Sequence, residues 1–421
     1  MSIEPQTPPM AREAARAAGC PIDHQAQAWS HQKTAQHVEP TGISIECDAQ
    51  GVWHIYGFNE TRAVLRSGET RQAGFGSDTL SATASKMTPP ILFLDGKEHQ
   101  IQRKQTARFF TPKAVDGNYR RLMEDVADKL IAELRRSKQA DLSKLSRFMA
   151  VRVASQVVGL TNSTLPGMDK RLDAFFAGDL SQLTKKLSLR ALLHTLSNQF
   201  ALSSFFMLDV KPAIKARKWK EQDDVISHLV AQGSSDAEIL TECVTYAAAG
   251  MVTTREFICV ATWHLLEHEG LRQRYLIASE KERYAILGEL LRLEPVVGNL
   301  FRRANSELHI SSGEQDYTIP KDALINLHLH GANSDESVTG EKPLLACPGR
   351  EIQANQTTEA LMSFGDGAHR CPGSYIAIQE TDLFLQRLLA IDGLYIKQAP
   401  TVTWNELVTG YEIRNFQLAI K

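Results

Sequence analysis

The stretch Met362–Tyr375, MSFGDGAHRCPGSY, places three glycines and a proline around one cysteine, Cys371, just ahead of the helix-like run SYIAIQETDLFLQRLLA. Gly365 and Gly367 permit backbone angles closed to other residues and let the main chain approach a flat partner. A thiolate placed just before a helix gains from the helix N-terminal dipoles and nearby amide hydrogens. His369 and Arg370 add donors for anionic groups beside it. A lone thiolate presented in this way suits axial ligation of a haem iron, and with no C-x-x-C-H such a haem would be held without thioether bonds. The ordinary alternative is a structural cysteine buried in a glycine-rich turn. The loop by itself leaves both open.

The 421 residues are 43% hydrophobic and 23% charged, the profile of a folded globular protein with a large core. Lys plus Arg number 47 against 49 Asp plus Glu, so the net charge of −2 gives no global reason to expect nucleic acid or an anionic membrane as partner. No stretch approaches the roughly 18 uninterrupted apolar residues of a membrane span, and the N-terminus lacks the apolar core of a signal peptide, which predicts a cytoplasmic protein. The cysteines are scattered without a C-x-x-C pair, so neither a zinc site nor a disulfide framework is expected.

Residues 1–38 are rich in Pro, Ala, Gln and His and read as a loosely ordered leader with one short helix around AREAARAA. ISIECDAQGVWHIYGF then alternates about Asp48–Gly51, the mark of a β-hairpin, and Asn59 is placed to cap a following helix. From residue 95 the apolar period becomes helical through GKEHQIQRKQTARFF, NYRRLMEDVADKLIAELRRS and DLSKLSRFMAVRVASQVVGL. The longest expected helix opens at a capping box, Ser235 with Glu238, and runs to Gly270, roughly 50 Å at ~1.5 Å per residue. Its middle is apolar nearly all round and should be buried. With no repeat and no flexible linker, residues 39–421 read as one large, mainly α domain with small β-sheets.

The ten residues FGDGAHRCPG match F-G-x-G-x-H-x-C-x-G at all six specified positions, and this string resembles the haem loop of the cytochrome P450 family, the haem-thiolate monooxygenases of the soluble bacterial type. Upstream, Glu289-Leu290-Leu291-Arg292 resembles the family's E-x-x-R motif, and LEPVVGNLFRRA follows it as in the family. DGKEHQIQRKQTARFFTP resembles the proximal helix, with His99 and Arg103 four apart and so on one helix face. The motifs stand in family order from about residue 40 to the end. The resemblance implies a single triangular-prism fold with haem b between a long central helix and the helix after the cysteine loop. It implies Cys371 as the axial iron ligand, Phe364, Gly365, His369 and Gly373 as the rest of the haem loop, and Glu289 with Arg292 as a buried structural brace. His99, Arg103, Arg302 and His369 would hold the haem propionates, for which charge-assisted hydrogen bonds are the strong kind.

AAGMVTT in the long helix corresponds to the family's oxygen-binding motif. Ala249, Gly250 and Thr253 match it, and Thr254 follows, but the usual acid is replaced by Val252, which cannot relay a proton. Small Ala249 and Gly250 would leave room above the iron, and Thr253 could bond either to oxygen or back to a helix carbonyl. Protons would then come through ordered water with Thr253 or Thr254, through a substrate group, or the enzyme would use peroxide; water with Thr253 is the favoured account. Glu256 lies one turn beyond Val252, too far along the helix for direct delivery.

By the same resemblance the substrate pocket is lined by the loop 72–94, parts of 165–205, Ala248, Ala249, Val296, Val297, Asn299, Val408 and Thr409. These segments are mostly apolar, which implies a hydrophobic small-molecule substrate. The implied reaction is insertion of one atom of O2, with electrons from NAD(P)H through a ferredoxin-type donor and its reductase. Lys104, Arg108, Lys113, Arg120, Arg121 and Arg370 form the expected docking patch. A peroxide-driven peroxygenase and a non-catalytic haem ligand binder are the rivals, and the chain is expected to act as a monomer. His328 and His330 in INLHLHG would share one strand face, but no further ligands for a metal are evident.

Overall fold

Asp48 accepts the N–H groups of Gln50 at 2.9 Å and Val52 at 2.8 Å, and Gly51 adopts φ +80°, so the expected hairpin closes. It joins β1 (Ile45–Cys47) to β2 (Trp53–Ile55), with Ile45 opposite Ile55. The computed structural model describes residues 32–34, 42–75, 89–176, 200–355, 357–406 and 408–421. The expected leader helix at AREAARAA and most of the leader lie outside the described residues, as do much of the 72–94 loop and of 165–205.

The helix after the hairpin, α1 (Phe58–Arg66), starts two residues earlier than a cap at Asn59 would place it. Its N-cap is Gly57, and the Phe58 N–H is satisfied instead by Asp335 Oδ2 at 2.8 Å, a carboxylate far along the chain. Next come β3 (Thr70–Gln72), α2 (Gly96–Thr106), α3 (Arg120–Ser137), β4 (Gln139–Asp141), α4 (Leu142–Val158) and α5 (Met168–Phe176). Two shorter helices, α6 (Lys211–Trp219) and α7 (Val225–Ala231), lead to the expected long helix.

That helix begins as its capping box dictates: Glu238 N–H bonds Ser235 Oγ at 3.3 Å and Ser235 N–H bonds Glu238 Oε2 at 2.8 Å. It is not one regular helix to Gly270. Segment α8 (Asp236–Ala247) passes through a π-helical turn, Ala248–Val252, into α9 (Thr253–Glu267). His268 then leaves helical angles, and Gly270 falls inside the next helix, α10 (Glu269–Ile277). The π turn widens the helix at the oxygen-motif residues, the kind of interruption that marks functional sites.

After α11 (Glu280–Leu293) come β5 (Asn299–Ala304), β6 (Leu308–Ser312), β7 (Gln315–Ile319), β8 (Leu324–His328) and α12 (Leu329–Asn333). The helix after the cysteine loop is α13 (Ser374–Leu389), followed by β9 (Leu394–Gln398), β10 (Thr401–Asn405), β11 (Gly410–Arg414) and β12 (Gln417–Ile420). The main sheet has the order β1-β2-β8-β5-β3, with β2 and β8 parallel, and three smaller sheets stand beside it among the described residues. The protein is mainly helical with small sheets. Its principal core packs α3, α4, α9, α11 and α13 together through residues such as Met123, Val153, Ile258, Leu290 and Phe384. A second core sits under the main sheet. No described helix is long and apolar enough to cross a membrane.

Strand β8 ends at His328, so His330 lies in α12 and does not share its strand face. His328 Nε2 lies 2.9 Å from His54 Nδ1 across the sheet, and no metal-holding group of three ligands occurs among the described residues. Cys347 is disulfide-bonded, against the expectation from cysteine spacing.

Candidate active site

The cysteine turn is built from short 3₁₀ segments, Leu361–Phe364 and Gly367–His369, with Gly365 at φ +66° and Gly367 at φ +65°. A Cβ on Gly367 would stand 2.2 Å from the Leu65 carbonyl oxygen, so this glycine lets the turn rest on the end of α1. Asp366 fastens the same contact by accepting from Gly367 N at 2.7 Å and pairing with Arg62 at 3.3 Å and Arg66 at 2.9 Å. Cys371 is a free thiol whose own N–H bonds the Phe364 carbonyl at 2.8 Å, and Gly373 caps α13 immediately after it. Burial pushes the thiol up, while the Gly373 N–H and the charges of Arg103 and Arg370 favour the thiolate.

His99 and Arg103 on α2 come to the same turn. The His99 ring stacks on His369 with centroids 4.0 Å apart, and Arg103 Nη2 donates to the Arg370 carbonyl. Arg302 on β5, 4% exposed, donates to Gln72 Oε1 on β3, opposite it in register. Asp95, unremarked in the sequence, is the acid of this group. It bonds His369 Nε2 at 3.1 Å and the Gln72 N–H at 3.1 Å, and against the opposing pull of burial these contacts hold its carboxyl below the usual range.

This arrangement tests the haem assignment. Four cationic or cation-capable side chains, His99, Arg103, Arg302 and His369, gather about one carboxylate beside a free thiol. His99, 3% exposed, is pushed down to about 4, first by burial and then by the charges of His369 and Arg103. Burial likewise lowers Arg302 and Arg103. Such a cluster is short of negative charge, and a macrocycle carrying two carboxylates and a thiolate-seeking iron supplies it. The residues fit the group.

Glu289 and Arg292 are buried on α11, joined by bonds of 2.7 and 2.8 Å. Glu289 Oε1 also accepts the Cys347 N–H at 2.8 Å, and Arg292 donates to the Asn333 carbonyl at 2.8 Å. Asn333 carries the brace to the cysteine turn: its Oδ1 accepts Met362 N–H at 2.8 Å, and its Nδ2 donates to the Arg292 carbonyl and to Ser363 Oγ. Sequence reasoning missed Asn333 and Arg350, which lies 3.7 Å from Glu289, because both act through contacts remote in the chain.

At the π turn, Thr253 Oγ1 donates to the Ala249 carbonyl at 2.6 Å, the back-bonded alternative. Ala249 is exposed and Ala248 half-buried, whereas Val252 and Thr254 are buried. Gly250 faces α4: a Cβ there would stand 3.3 Å from Ala154 Cβ, so its small size serves helix packing. Glu256 is buried and engaged, with Arg255 at 2.7 Å, Arg414 at 2.7 Å and the Ile413 N–H at 2.6 Å.

The segment Val296–Asn299 and the turn Val408–Thr409 are brought together. Gly298 N–H bonds the Thr409 carbonyl at 2.8 Å, Thr409 Oγ1 donates to the Asn299 carbonyl at 2.9 Å, and Val297 bridges to Gly410. Among the expected docking cations, Lys104, Arg108, Lys113, Arg121 and Arg370 are exposed. Arg120 differs, being held by Glu280 at 2.7 Å and Asp116 at 3.4 Å.

A family model, Cytochrome P450, matches residues 284–390, the span holding the Glu289–Arg292 brace and the Cys371 turn. The chain belongs to the cytochrome P450 family. Erythromycin C-12 hydroxylase of Saccharopolyspora erythraea is 26% identical to this P450 over 82% of each chain. Cytochrome P450-SU2 of Streptomyces griseolus is 24% identical, covering 89% of this chain and 88% of its own. Steroid C26-monooxygenase of Mycolicibacterium smegmatis is 25% identical over 72% of this chain and 71% of its own. Among solved structures, a mutant of P450 EryK in complex with erythromycin B superposes with a TM-score of 0.71 at 21% identity, covering 90% of this chain and 93% of that one. P450BioI in complex with an acyl carrier protein ligated to hexadec-9Z-enoic acid gives 0.71 at 21%, covering 90% and 95%. As a P450 the protein is an oxidoreductase of the monooxygenase class, and its cofactor is haem with a cysteine thiolate ligand.

Proposed function

We propose that this P450 inserts one oxygen atom of O2 into a hydrophobic small organic molecule, taking electrons from NAD(P)H through a separate ferredoxin-type donor and its reductase. The observation that carries the reading is the convergence of the free Cys371 thiol with His99, Arg103, Arg302 and His369 from three separated stretches of chain. When bound, the haem supplies the oxygen-activating chemistry, with Cys371 as ligand through its thiolate and the four basic residues on its carboxylates.

The chain's own residues bind and orient the substrate. In this reading Ala248 and Ala249, small side chains at the π turn, would line the substrate pocket together with Val296, Val297, Asn299, Val408 and Thr409, a mostly apolar set with few polar anchors. The names of its relatives include an erythromycin hydroxylase and a steroid monooxygenase, which favours a bulky substrate. Thr253 would hold a proton-carrying water by giving up its bond to the Ala249 carbonyl. Glu256, tied to Arg414 and Ile413, is not free to carry protons from one turn away. Exposed Lys104, Arg108, Lys113, Arg121 and Arg370 would steer the acidic electron donor.

The absence of a carboxylate at Val252, together with the engagement of Glu256, favours one second reading, turnover driven by peroxide. Product formation with a ferredoxin system and O2 against product formation with peroxide alone separates the two. A non-catalytic ligand binder would shift its spectrum with ligand and yield product with neither oxidant.

A further inference from the structure

Beside the haem site, a water-sized cleft opens between α2, α7, α8 and the 3₁₀ turn Ile91–Phe93. Glu242 on α8 is 9% exposed, and its Oε1 accepts the backbone N–H of Ile91 at 2.8 Å across 151 residues of sequence. Its other oxygen, Oε2, is buried in the cleft without a hydrogen-bond partner among the described residues. His228 on α7 lines the same cleft, and its buried Nε2 is also without one. Gln232 Nε2 donates to Gln105 Oε1 at 2.7 Å along the cleft wall.

Two buried polar atoms left without partners in one cleft call for a shared proton. If Glu242 carries its proton on Oε2, that hydroxyl can reach His228 Nε2 through one water in the cleft, while Oε1 keeps the Ile91 N–H. We propose that Glu242 is a positioning residue for the substrate pocket: its protonated carboxyl clasps the Ile91–Phe93 turn onto α8, and loss of the proton loosens that turn. The inference rests on the monooxygenase reading above, in which residues 91–94 border the substrate.

The surroundings agree with a neutral carboxyl. Burial pushes Glu242 up to about 7, with only the Ile91 N–H opposing it. The ionisable groups around the cleft are His228 and Asp224 on the α7 side, Arg103 and Arg108 on and just after α2, and Cys243 and Tyr246 on α8 itself. Asp224 is taken by Arg217 at 2.5 Å. Burial and Arg108 keep His228 below its usual range, so it is the neutral acceptor the hydroxyl needs. Since the folded-state value is raised, the neutral clasp is intact in mildly acidic solution and is lost as pH rises through about 7.

The test compares the haem-loaded wild type, Glu242→Gln and Glu242→Leu at pH 6.0 and 8.5. Amide hydrogen exchange is read in peptides covering 89–95, corrected for the intrinsic pH dependence of exchange, alongside binding of 1-phenylimidazole followed by its spectral shift. In the wild type, protection of the turn should fall about tenfold from the lower to the higher pH, with the probe's affinity changing in step. Gln supplies an oxygen for Ile91 and an N–H for His228 but cannot titrate, so Glu242→Gln should stay protected at both pH values. Glu242→Leu should be unprotected at both. A Glu242→Gln enzyme whose turn loosens with pH as the wild type does would overturn the proposal, even if the Leu variant fails to fold. The exchange readout needs no turnover, so a failure to find product would fault the functional reading and leave this one standing or falling by itself.

Discussion

The imidazole rings of His99 and His369 stack with centroids 4.0 Å apart and planes 20° from parallel, two cation-capable groups pressed together beside Arg103 and Arg302. In the haem-free chain His99 is held down to about 4, below the value of about 6.5 it has when unfolded. A lowered histidine contributes stability that is fully present above about 6.5 and lost as pH falls towards 4. Urea unfolding of the haem-free chain at pH 7 and pH 5 should therefore show a smaller pH dependence for His99→Gln than for the wild type. Equal slopes would mean that His99 protonates freely in the fold.

Arg292 is fully enclosed, bonded to Glu289 and to the Asn333 carbonyl. Replacing one partner leaves a buried, uncompensated charge, so Arg292→Leu should destabilise by about 3–5 kcal/mol. Asn333 links this pair to Met362, so the damage should extend to the cysteine turn. The measure is the fraction of purified protein with a long-wavelength ferrous–carbonyl band; a variant that keeps the wild-type fraction would remove the brace from the account.

Val252 occupies the position where the family's motif has an acid, and Glu256 is bound to Arg414 and Ile413. Val252→Asp should raise the product formed per NAD(P)H consumed several-fold, short of the about 100-fold a well-placed acid can contribute. Coupling that stays level or falls would count against the missing-acid explanation. Glu256→Gln should lower thermal stability by disturbing the tie to β11 and leave coupling near the wild-type value.

Electron transfer should depend on salt. If Lys104, Arg108, Lys113, Arg121 and Arg370 steer an acidic donor, the reduction rate should fall about tenfold between about 0.05 and 0.5 M salt. Lys104→Glu or Arg121→Glu should slow it at low salt. Arg120→Ala should leave the salt slope unchanged, because Glu280 and Asp116 already neutralise that residue. Stopped-flow reduction checks both, and a salt-independent rate would take the patch out of the docking account.

Much of this was legible along the chain, because several signals are local. A capping box needs only residues three apart, and Ser235 with Glu238 forms one. The hairpin at Asp48 and the helix at Ser374 likewise depend on neighbours. Other features were hidden because the partner is distant. The start of α1 moved to Phe58 because Asp335 caps it across 277 residues, and Asp95, Asn333 and Arg350 carry no local motif at all. Gly250 matched the oxygen motif, but what its missing side chain makes room for, Ala154 on α4, emerges only from helix packing.

The order of residues alone establishes a mainly helical chain with a glycine-framed cysteine ahead of a helix, since capping, turn chemistry and periodicity act over a few bonds. It also supplies the identity of each donor around that cysteine. Folding settles which of them meet: Arg302 reaches the group through its register with β3, His99 through the docking of α2, and Glu256 is withdrawn from proton chemistry by β11. The reason is physical. A charge acquires its role from the burial and counter-charges around it, and those come from segments hundreds of residues apart in sequence.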